Sequence, residues 1–220
     1  MGPHNFDIDL VYLWVDGNDP KWIQKKEKTT GRVFDKSEAD CKGRYSDNDE
    51  LKYSLRSIAN HMPWIRKIFI VTDDQFPVWL NVNHPKIVIV DHNDIMPKDY
   101  LPCFNASAIE FFIHKIPDLS EYFIIANDDT FVNKDLYPSY FFNELKLPIV
   151  RLKRKLFGEY RFLIKKIIGK KIGIYAQMIK DASLLIENRT GKKITSVPHH
   201  NLDSYRKSMY SIVVEKIFVK

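Results

Sequence analysis

The sequence predicts an α/β fold with a mainly parallel sheet. Four short segments, at about 8–15, 67–72, 86–90 and 122–126, have the apolar, β-branched and aromatic composition of buried strands. Segments with helical periodicity separate most of them, and this alternation is typical of parallel sheets. A length of 220 residues suits one domain, or a domain with a small appendage.

Each predicted strand is followed by acidic residues. These clusters are Asp16 and Asp19, Asp73 and Asp74, Asp91, and Asp128 with Asp129. The carboxyl ends of parallel strands meet at one edge of a sheet, where ligands bind in open α/β folds. Paired carboxylates at that edge suit a Mg²⁺ or Mn²⁺ ion that also binds phosphate oxygens. One acidic strand end is equally explained as a turn, but four of them favour a binding crevice.

A helix is predicted between the first two strands. Its start has two alternative capping registers: Asp47 with Glu50, and Ser46 with Asp49. Apolar residues recur at helical spacing after this start and form a buried face.

Helical spacing also occurs in three later segments. The segment 101–116 combines a loop with a helix capped by Asn105 or Ser107. The aromatic residues of 137–147 have the spacing of a core helix, and 153–186 has an amphipathic helical pattern interrupted by glycines.

Positive charge is concentrated in one part of the chain. The net charge is +6, yet residues 151–193 hold thirteen Lys and Arg against three acids, so the rest of the chain is net negative. Such a basic helical block suits an anionic membrane surface or a polyanionic substrate, and it is equally typical of a solvated helix face. No nucleic-acid-binding motif accompanies the charge, so nucleic acid is not an expected partner.

The N-terminal residues and the cysteines indicate the cellular compartment. Residues 1–10 lack a basic and then apolar signal region, and no apolar run is long enough to span a bilayer. Cys41 and Cys103 are far apart and have neither metal nor redox spacing. We therefore expect a cytoplasmic protein, in possible peripheral contact with the inner face of the membrane through the basic block.

The chain contains the residue types that phosphate chemistry needs. None of its eight glycines falls in a GxGxxG or P-loop pattern, so phosphates are expected to be held by a metal and by cationic side chains. The cationic candidates are Arg44, Lys52, Arg56, Arg206 and Lys207. Arg56 is equally explained as a surface residue of a helix.

Histidines offer proton transfer or metal binding. His199 or His200 can supply a general base, because imidazole titrates near neutral pH. Glu110 and His114 lie four residues apart on a predicted helix, a spacing that fits either a metal site or a simple side-chain contact.

Taken together, these motifs resemble the Stealth family. Residues 7–140, with WVDGND at 14–19, DNDELKYS at 47–54, FNASAIE at 104–110 and ANDDTF at 126–131, are similar to its first two conserved regions. The family comprises bacterial capsular polysaccharide phosphotransferases and the catalytic subunit precursor of the lysosomal-enzyme GlcNAc-1-phosphotransferase. The resemblance implies a Rossmann-like fold related to the GT-A type.

The activity implied by the resemblance is transfer of a sugar-1-phosphate from a UDP-sugar, such as UDP-GlcNAc, to a hydroxyl of an acceptor glycan. A phosphodiester forms and UMP leaves. Two other functions remain open: a GT-A-type glycosyltransferase, which releases UDP instead, and a non-catalytic remnant that binds a nucleotide-sugar.

The resemblance also implies site residues. Asp128 and Asp129 are expected to hold Mg²⁺ or Mn²⁺, and His200 and Asp16 are expected to act in catalysis. Arg56, which comes from the cationic phosphate candidates and not from a family motif, is expected to act with them. The substrate-binding residues implied are Asp19, Asn48, Glu50, Lys52, Asn105, Ser107, Glu110 and Lys207. His200 and Lys207 belong to HHNLDSYRKS at 199–208, which departs from the family pattern because Ser204 stands where a proline is common.

Three parts of the chain are therefore expected. Residues 1–150 would form the nucleotide-sugar-binding core, 151–193 a basic helical insertion, and 194–220 the C-terminal part of the catalytic domain. No counterpart of the family's fourth conserved region follows Lys220, so the resemblance implies either a truncated chain or one whose missing residues come from elsewhere.

Overall fold

A computed structural model describes most of the chain. The residues described are 6–31, 33, 48–154, 164, 167–169, 173–194, 196–198 and 202–215. They divide into two compact units, one within Met1–Ile149 and Asn201–Lys220, the other within Val150–His200.

The strands and helices of these residues follow the chain in order. The strands are β1 (Ile8–Leu13), β2 (Ile68–Thr72), β3 (Ile87–Asp91), β4 (Tyr122–Ala126), β5 (Leu152–Arg154), β6 (Ser196–Pro198) and β7 (Asp203–Arg206). The α-helices are α1 (Pro20–Thr30), α2 (Glu50–His61), α3 (His92–Ile95), α4 (Ala106–Glu110), α5 (Ile174–Thr190) and α6 (Lys207–Val213). Short 3₁₀ turns span Lys98–Tyr100, Ile113–Lys115 and Pro138–Tyr140.

A five-stranded sheet in the order β3-β2-β1-β4-β7 organises the larger unit. The first four strands are parallel, and β7 pairs with β4 in the antiparallel direction. This architecture confirms the predicted α/β fold with its mainly parallel sheet and flanking helices.

The sheet is covered on both faces. All of β2 and nearly all of β1 are buried, as expected for central parallel strands with continuous apolar sequences. One core cluster contains Tyr12, Ile70 and Phe141, and the other contains Val11 and Phe123. Successive residues of β1 thus alternate between two cores, as strand geometry requires.

The start of α2 differs from both predicted capping registers. The N-cap is Asp49, whose φ of 66° is left-handed and whose side chain makes no capping hydrogen bond. The carboxylate of Glu50 instead accepts hydrogen bonds from the backbone and side-chain nitrogens of Asn48, at 2.6 and 2.9 Å. The helix thus begins later than either predicted register places it, and Asp47 and Ser46 themselves lie outside the described residues.

Two other helical predictions are corrected. The helix within 101–116 is short: α4 is capped by Asn105, ends at Glu110 and is followed by a 3₁₀ turn. Ile109, Ile113 and Ile116 of this segment are nevertheless buried. Only the turn Pro138–Tyr140 is helical within 137–147, because the chain there folds back and pairs Phe142 with Pro148.

The smaller unit contains a two-stranded antiparallel sheet, β5 with β6, and the helix α5. Much of the basic block between 155 and 172 lies outside the described residues. Within the described part of the chain, no helix is both long and apolar enough to cross a membrane.

A buried carboxylate fixes the amino-terminal edge of the large sheet. Asp9 in β1 is fully buried and accepts two hydrogen bonds from the Arg66 guanidinium, at 2.6 and 2.9 Å. The backbone nitrogens of Lys67 and Ser120 also donate to it. One carboxylate therefore joins the segments that lead into β2 and β4.

We predict that Asp9→Asn lowers the free energy of unfolding by about 3 kcal/mol, because it leaves Arg66 without its buried counter-charge. Urea denaturation measures the change. Asp7→Asn is the matched control, since Asp7 is largely exposed and lies 4.0 Å from the Arg66 guanidinium; its effect should stay within about 0.5 kcal/mol. Equal stability of the two variants would contradict the role assigned to Asp9.

Candidate functional site

The carboxyl ends of the four parallel strands lie at one edge of the sheet and bring acidic residues together. Asp16 follows β1, Asp73 follows β2, Asp91 ends β3 and Asp128 follows β4. Because β7 is antiparallel, its first residue, Asp203, pairs with Ile125 near the same edge. We call this region the acidic edge, defined by Asp16, Asp73, Asp91, Asp128 and Asp203.

Gln75 holds the turn that follows β1. Its side-chain oxygen accepts from the Asp16 nitrogen at 3.0 Å, and its amide donates to the Asp16 carbonyl at 3.1 Å. The same amide donates to the Asp19 carboxylate at 2.9 Å. Asp19 also caps α1 by accepting from the Lys21 nitrogen. These hydrogen bonds lower the pKa of Asp19, the Gln75 contribution being the largest, and both carboxylate oxygens are engaged within the protein.

The ends of β2 and β3 are tied by charge and by hydrogen bonds. Asp73 is buried and forms an ion pair with Lys25 at 2.5 Å. Asp91 caps α3 and also accepts from the Asp74 nitrogen. His92 is buried beside them, and burial lowers its pKa. Asp91 is thus fully engaged, whereas Asp73 is engaged through Oδ1 alone: its Oδ2 is buried without a hydrogen-bond partner among the described residues, as are Thr72 Oγ1 and His92 Nδ1.

Asp128 and Asp129 form the most anionic part of the acidic edge. Asp129 is exposed and Asp128 is half-buried. Burial first, and then the negative charges of Asp129 and Glu50, raise the pKa of Asp128 to about 6. A cation at this position would offset the repulsion, since an opposite charge favours the ionised carboxylate.

Hydrogen bonds attach helix α2 to the loop that contains Asp128 and Asp129. The Ser54 hydroxyl donates to the Thr130 carbonyl at 2.6 Å and shares a 2.7 Å hydrogen bond with the buried Tyr12 hydroxyl. One turn along, Ser57 accepts from the Val132 nitrogen at 3.0 Å. These bonds keep the first turn of α2 beside the loop, which explains the interaction of Glu50 with Asp128.

Of the predicted residues around the first turn of α2, Glu50 is brought near Asp128, and Asn48 comes with it. Asn48 is held by Glu50, as described above, and the Lys52 ammonium lies 3.2 Å from the Asp49 carboxylate. Lys52 also lies over the Trp79 ring, 5.8 Å from its centre. Arg56, one turn later, is exposed and its guanidinium lies over the Tyr53 ring at 5.7 Å.

The loop and helix at 105–110 approach the edge through Glu110. Asn105 caps α4 by accepting from the Ser107 nitrogen at 3.1 Å, so this pair shapes the helix start. Burial, and then the charge of Asp203, raise the pKa of Glu110. Glu110 and Asp203 are therefore close enough in the structure for their charges to interact.

Lys207 is not brought to the acidic edge. It follows β7, whose last residue pairs with Tyr122 at the start of β4, so it lies at the opposite edge of the sheet. Its ammonium donates to the carbonyls of Ile116 and Leu119 at 3.2 and 3.3 Å. Arg206 is at the same opposite edge and pairs with Glu121 at 3.1 Å. The antiparallel direction of β7 causes this separation.

Several other predicted residues do not enter the described site. His114 lies 3.4 Å from Glu215, so its ion-pair partner is not Glu110. His199, His200 and Arg44 lie outside the described residues.

Two residues of the site were missed in the sequence. Gln75 follows a pair of acids and belongs to no motif, so no sequence signal marks its contact with the first turn. Asp203 stands within HHNLDSYRKS, and only the pairing of β7 with β4 reveals its position.

The carboxylates of Asp128 and Asp129 are suitable ligands for a divalent cation whose remaining ligands come from water and a substrate. Among the described residues, no three His, Cys, Asp or Glu side chains converge as a complete metal site. Mg²⁺ usually takes one or two protein carboxylates and completes its shell with water and phosphate oxygens. The adjacent carboxylates of Asp128 and Asp129 match that pattern.

Two models of one protein family match this chain, and the residues that they match include most of the acidic edge. The model of "Stealth protein CR1, conserved region 1" matches residues 6–33, and that of "Stealth protein CR2, conserved region 2" matches residues 44–150. Together these matches cover more than half of the chain and include the described acidic edge except for Asp203.

Curated relatives agree with the family models. A capsular polysaccharide phosphotransferase of Streptococcus thermophilus is 45% identical over 160 residues, covering 71% of this chain and 63% of the relative. One from Actinobacillus pleuropneumoniae is 37% identical over 209 residues, or 94% of this chain and 55% of the relative. An exopolysaccharide phosphotransferase of Lactiplantibacillus plantarum is 44% identical over 143 residues, or 65% and 41%. The matched part thus spans about half of these relatives.

We predict that Gln75→Leu increases the mobility of the turn after β1, which contains Asp16, because it removes three hydrogen bonds at once. Exchange of the Asp16 amide hydrogen should become at least about 10-fold faster, while exchange within β4 stays unchanged. Gln24→Leu is the matched control, because Gln24 is exposed on the neighbouring helix α1. Unchanged Asp16 exchange in the Gln75 variant would contradict this role.

Proposed function

The chain belongs to the Stealth family, and on that premise we propose that it is a phosphotransferase of capsular or exopolysaccharide biosynthesis. The reaction proposed is transfer of a sugar-1-phosphate from a UDP-sugar, such as UDP-GlcNAc, to a hydroxyl of an acceptor glycan. The P–O bond to UMP breaks, a phosphodiester to the acceptor forms, and the hydroxyl proton passes to a base.

One observation carries the proposal: the pair Asp128 and Asp129 lies at the carboxyl end of β4, next to the first turn of α2. This is the position at which open α/β sheets bind nucleotides. Burial, and then the negative charges of Asp129 and Glu50, raise the pKa of Asp128, and the relatives named above are phosphotransferases.

The cofactor proposed is Mg²⁺ or Mn²⁺, held by Asp128 and Asp129. When bound, such an ion neutralises charge on the phosphate oxygens of a diphosphate substrate. The protein then has to position the substrate and to supply further positive charge, which is how phosphoryl-type transfer is usually catalysed.

The residues of the chain would divide these tasks. Lys52 and Arg56, one turn apart on α2, would balance charge on departing UMP. Asp16, on the turn fixed by Gln75, would contact the nucleotide-sugar, and Asn48 with Glu50 would shape the pocket wall. His200, or Glu110 with its raised pKa, would accept the proton of the acceptor hydroxyl.

Location and partners are proposed on the same basis. A nucleotide-sugar donor and a glycan acceptor are the partners that the reaction requires. A cytoplasmic location would give access to the donor, and the basic residues of 151–193 would contact the anionic inner face of the membrane.

We predict that replacing both Asp128 and Asp129 by Asn lowers metal-dependent UMP release by at least about 100-fold, since the ion loses its protein ligands. Incubation with a panel of UDP-sugars and Mg²⁺, followed by nucleotide analysis, measures this. Asp99→Asn, at an exposed position outside the site, is the control and should keep full turnover.

The identity of the released nucleotide separates the candidate functions. UMP supports sugar-phosphate transfer, whereas UDP would show the glycosyltransferase alternative. Binding of a UDP-sugar with neither product would support the non-catalytic remnant. Normal UMP release by the double variant would overturn the metal assignment.

A further inference from the structure

Asp203 belongs to the acidic edge, yet the proposed reaction gives it no task. It is the first residue of β7 and pairs with Ile125, the residue before the end of β4. Asp128 follows β4, so Asp203 lies on the neighbouring strand at the same edge of the sheet. Which groups Asp203 acts on depends on the face of the sheet that its side chain occupies.

The contacts of β7 decide this face, because successive side chains of a strand alternate between the two faces of a sheet. Ser204 points to the face of Phe141, to whose carbonyl its hydroxyl donates at 2.9 Å. Tyr205 points to the other face, where its ring stacks on Phe123 with 5.6 Å between ring centres. Asp203 is two residues before Tyr205 and therefore shares the face of Tyr205.

Glu110 is held on this same face by helix α6. Tyr210 of α6 packs on Tyr205 and Phe123, with ring centres 5.3 and 5.8 Å apart. The Tyr210 hydroxyl donates to the Glu110 carbonyl at 2.8 Å. Ile109, the residue before Glu110, is buried in the same core cluster as Phe123. The last residue of α4 is thus fixed beside the aromatic side chains of β7 and α6.

The carboxyl groups of Glu110 and Asp203 interact in this half-buried, aromatic environment. Burial, and then the charge of Asp203, raise the pKa of Glu110. Burial first, and then neighbouring groups that include Glu110, also raise the pKa values of Tyr205 and Tyr210. Both phenols are therefore neutral near pH 7 and do not offset the charge of the carboxylates. Helix α4 itself contributes no charged residue other than Glu110.

We propose that Asp203 is a positioning residue that keeps Glu110 basic enough to act as the general base of the proposed transfer. When Asp203 is ionised, protonation of Glu110 removes the repulsion between two like charges, so Glu110 takes up a proton more readily. A carboxylate of ordinary acidity is a weak base near neutral pH, and base catalysis is most effective when the pKa of the base lies close to the working pH.

This role rests on the proposed function and chooses between the two bases considered there. The acceptor hydroxyl oxygen forms a bond to phosphorus, and its proton passes to the Glu110 carboxylate. The P–O bond to UMP breaks, and its electron pair leaves with UMP. Glu110 is then the catalytic residue in place of His200, and Asp203 acts only through Glu110.

The pH dependence of UMP release tests this role. UMP release requires ionised Glu110, so its rate rises with pH along an acid limb. Asp203→Asn removes a charge that raises the pKa of Glu110, so the limb should move to lower pH. The plateau rate should fall by about 2- to 10-fold, because the base becomes weaker. Asp203→Glu keeps the charge and should restore both the limb and the plateau.

Asp99→Asn is the matched control, because it also removes one carboxylate, from an exposed position outside the site; it should leave the limb in place. Glu110→Gln should abolish the limb and lower the plateau rate at least about 100-fold. An acid limb that persists in Glu110→Gln would assign the base to another group, such as His200, and would overturn the proposal. A rate that falls equally at every pH in Asp203→Asn would overturn it too, since a purely structural role gives that result.

A measurement that needs no turnover separates this proposal from the proposed function. NMR titration of the Glu110 side-chain carboxyl carbon follows its protonation in the resting protein, and Asp203→Asn should lower the pH at which this signal titrates. If UMP is released but the Glu110 titration is unchanged in Asp203→Asn, the positioning role is wrong and the proposed function stands. If Asp203→Asn does lower that pH but the unmodified protein releases no UMP from any UDP-sugar, the role of Asp203 in catalysis fails with the proposed function.

Discussion

Concentrated negative charge at the carboxyl ends of parallel strands is the constraint on which the rest of this structure depends. Four strands run in one direction, so the residues after β1, β2 and β4 face the same edge, and β7 adds Asp203. Carboxylates at such density repel unless each finds a donor or a cation. The fold provides such partners for Asp19, Asp73 and Asp91, and the cation proposed above would balance Asp128 and Asp129.

Hydrogen bonds from polar side chains, rather than the apolar core, position the acidic edge. Gln75 fixes the turn after β1, and Ser54 ties α2 to the loop after β4. Both act from elements that are themselves packed on the sheet. Through these bonds the first turn of α2 is held beside Asp128.

The central fold could be predicted from the sequence because its strands are short, continuous apolar runs and each is followed by acids. The failures have physical causes. The Glu50 side chain binds Asn48 and takes no part in a helix cap. The spacing of residues in the sequence does not decide between these two local partners. Lys207 was expected at the pocket but lies at the opposite edge, because a strand's direction depends on pairing between distant segments. That pairing also placed Asp203, which no motif had identified.

The most direct test of the account is where a divalent cation binds. Substoichiometric Mn²⁺, added with a UDP-sugar, broadens the NMR signals of amides close to it. The account predicts that the amides of Asn127, Asp128, Asp129 and Glu50 broaden first, while those of Glu121 and Ser208, at the opposite edge of the sheet, stay sharp. First broadening at Glu121, or equal broadening at both edges, would contradict it.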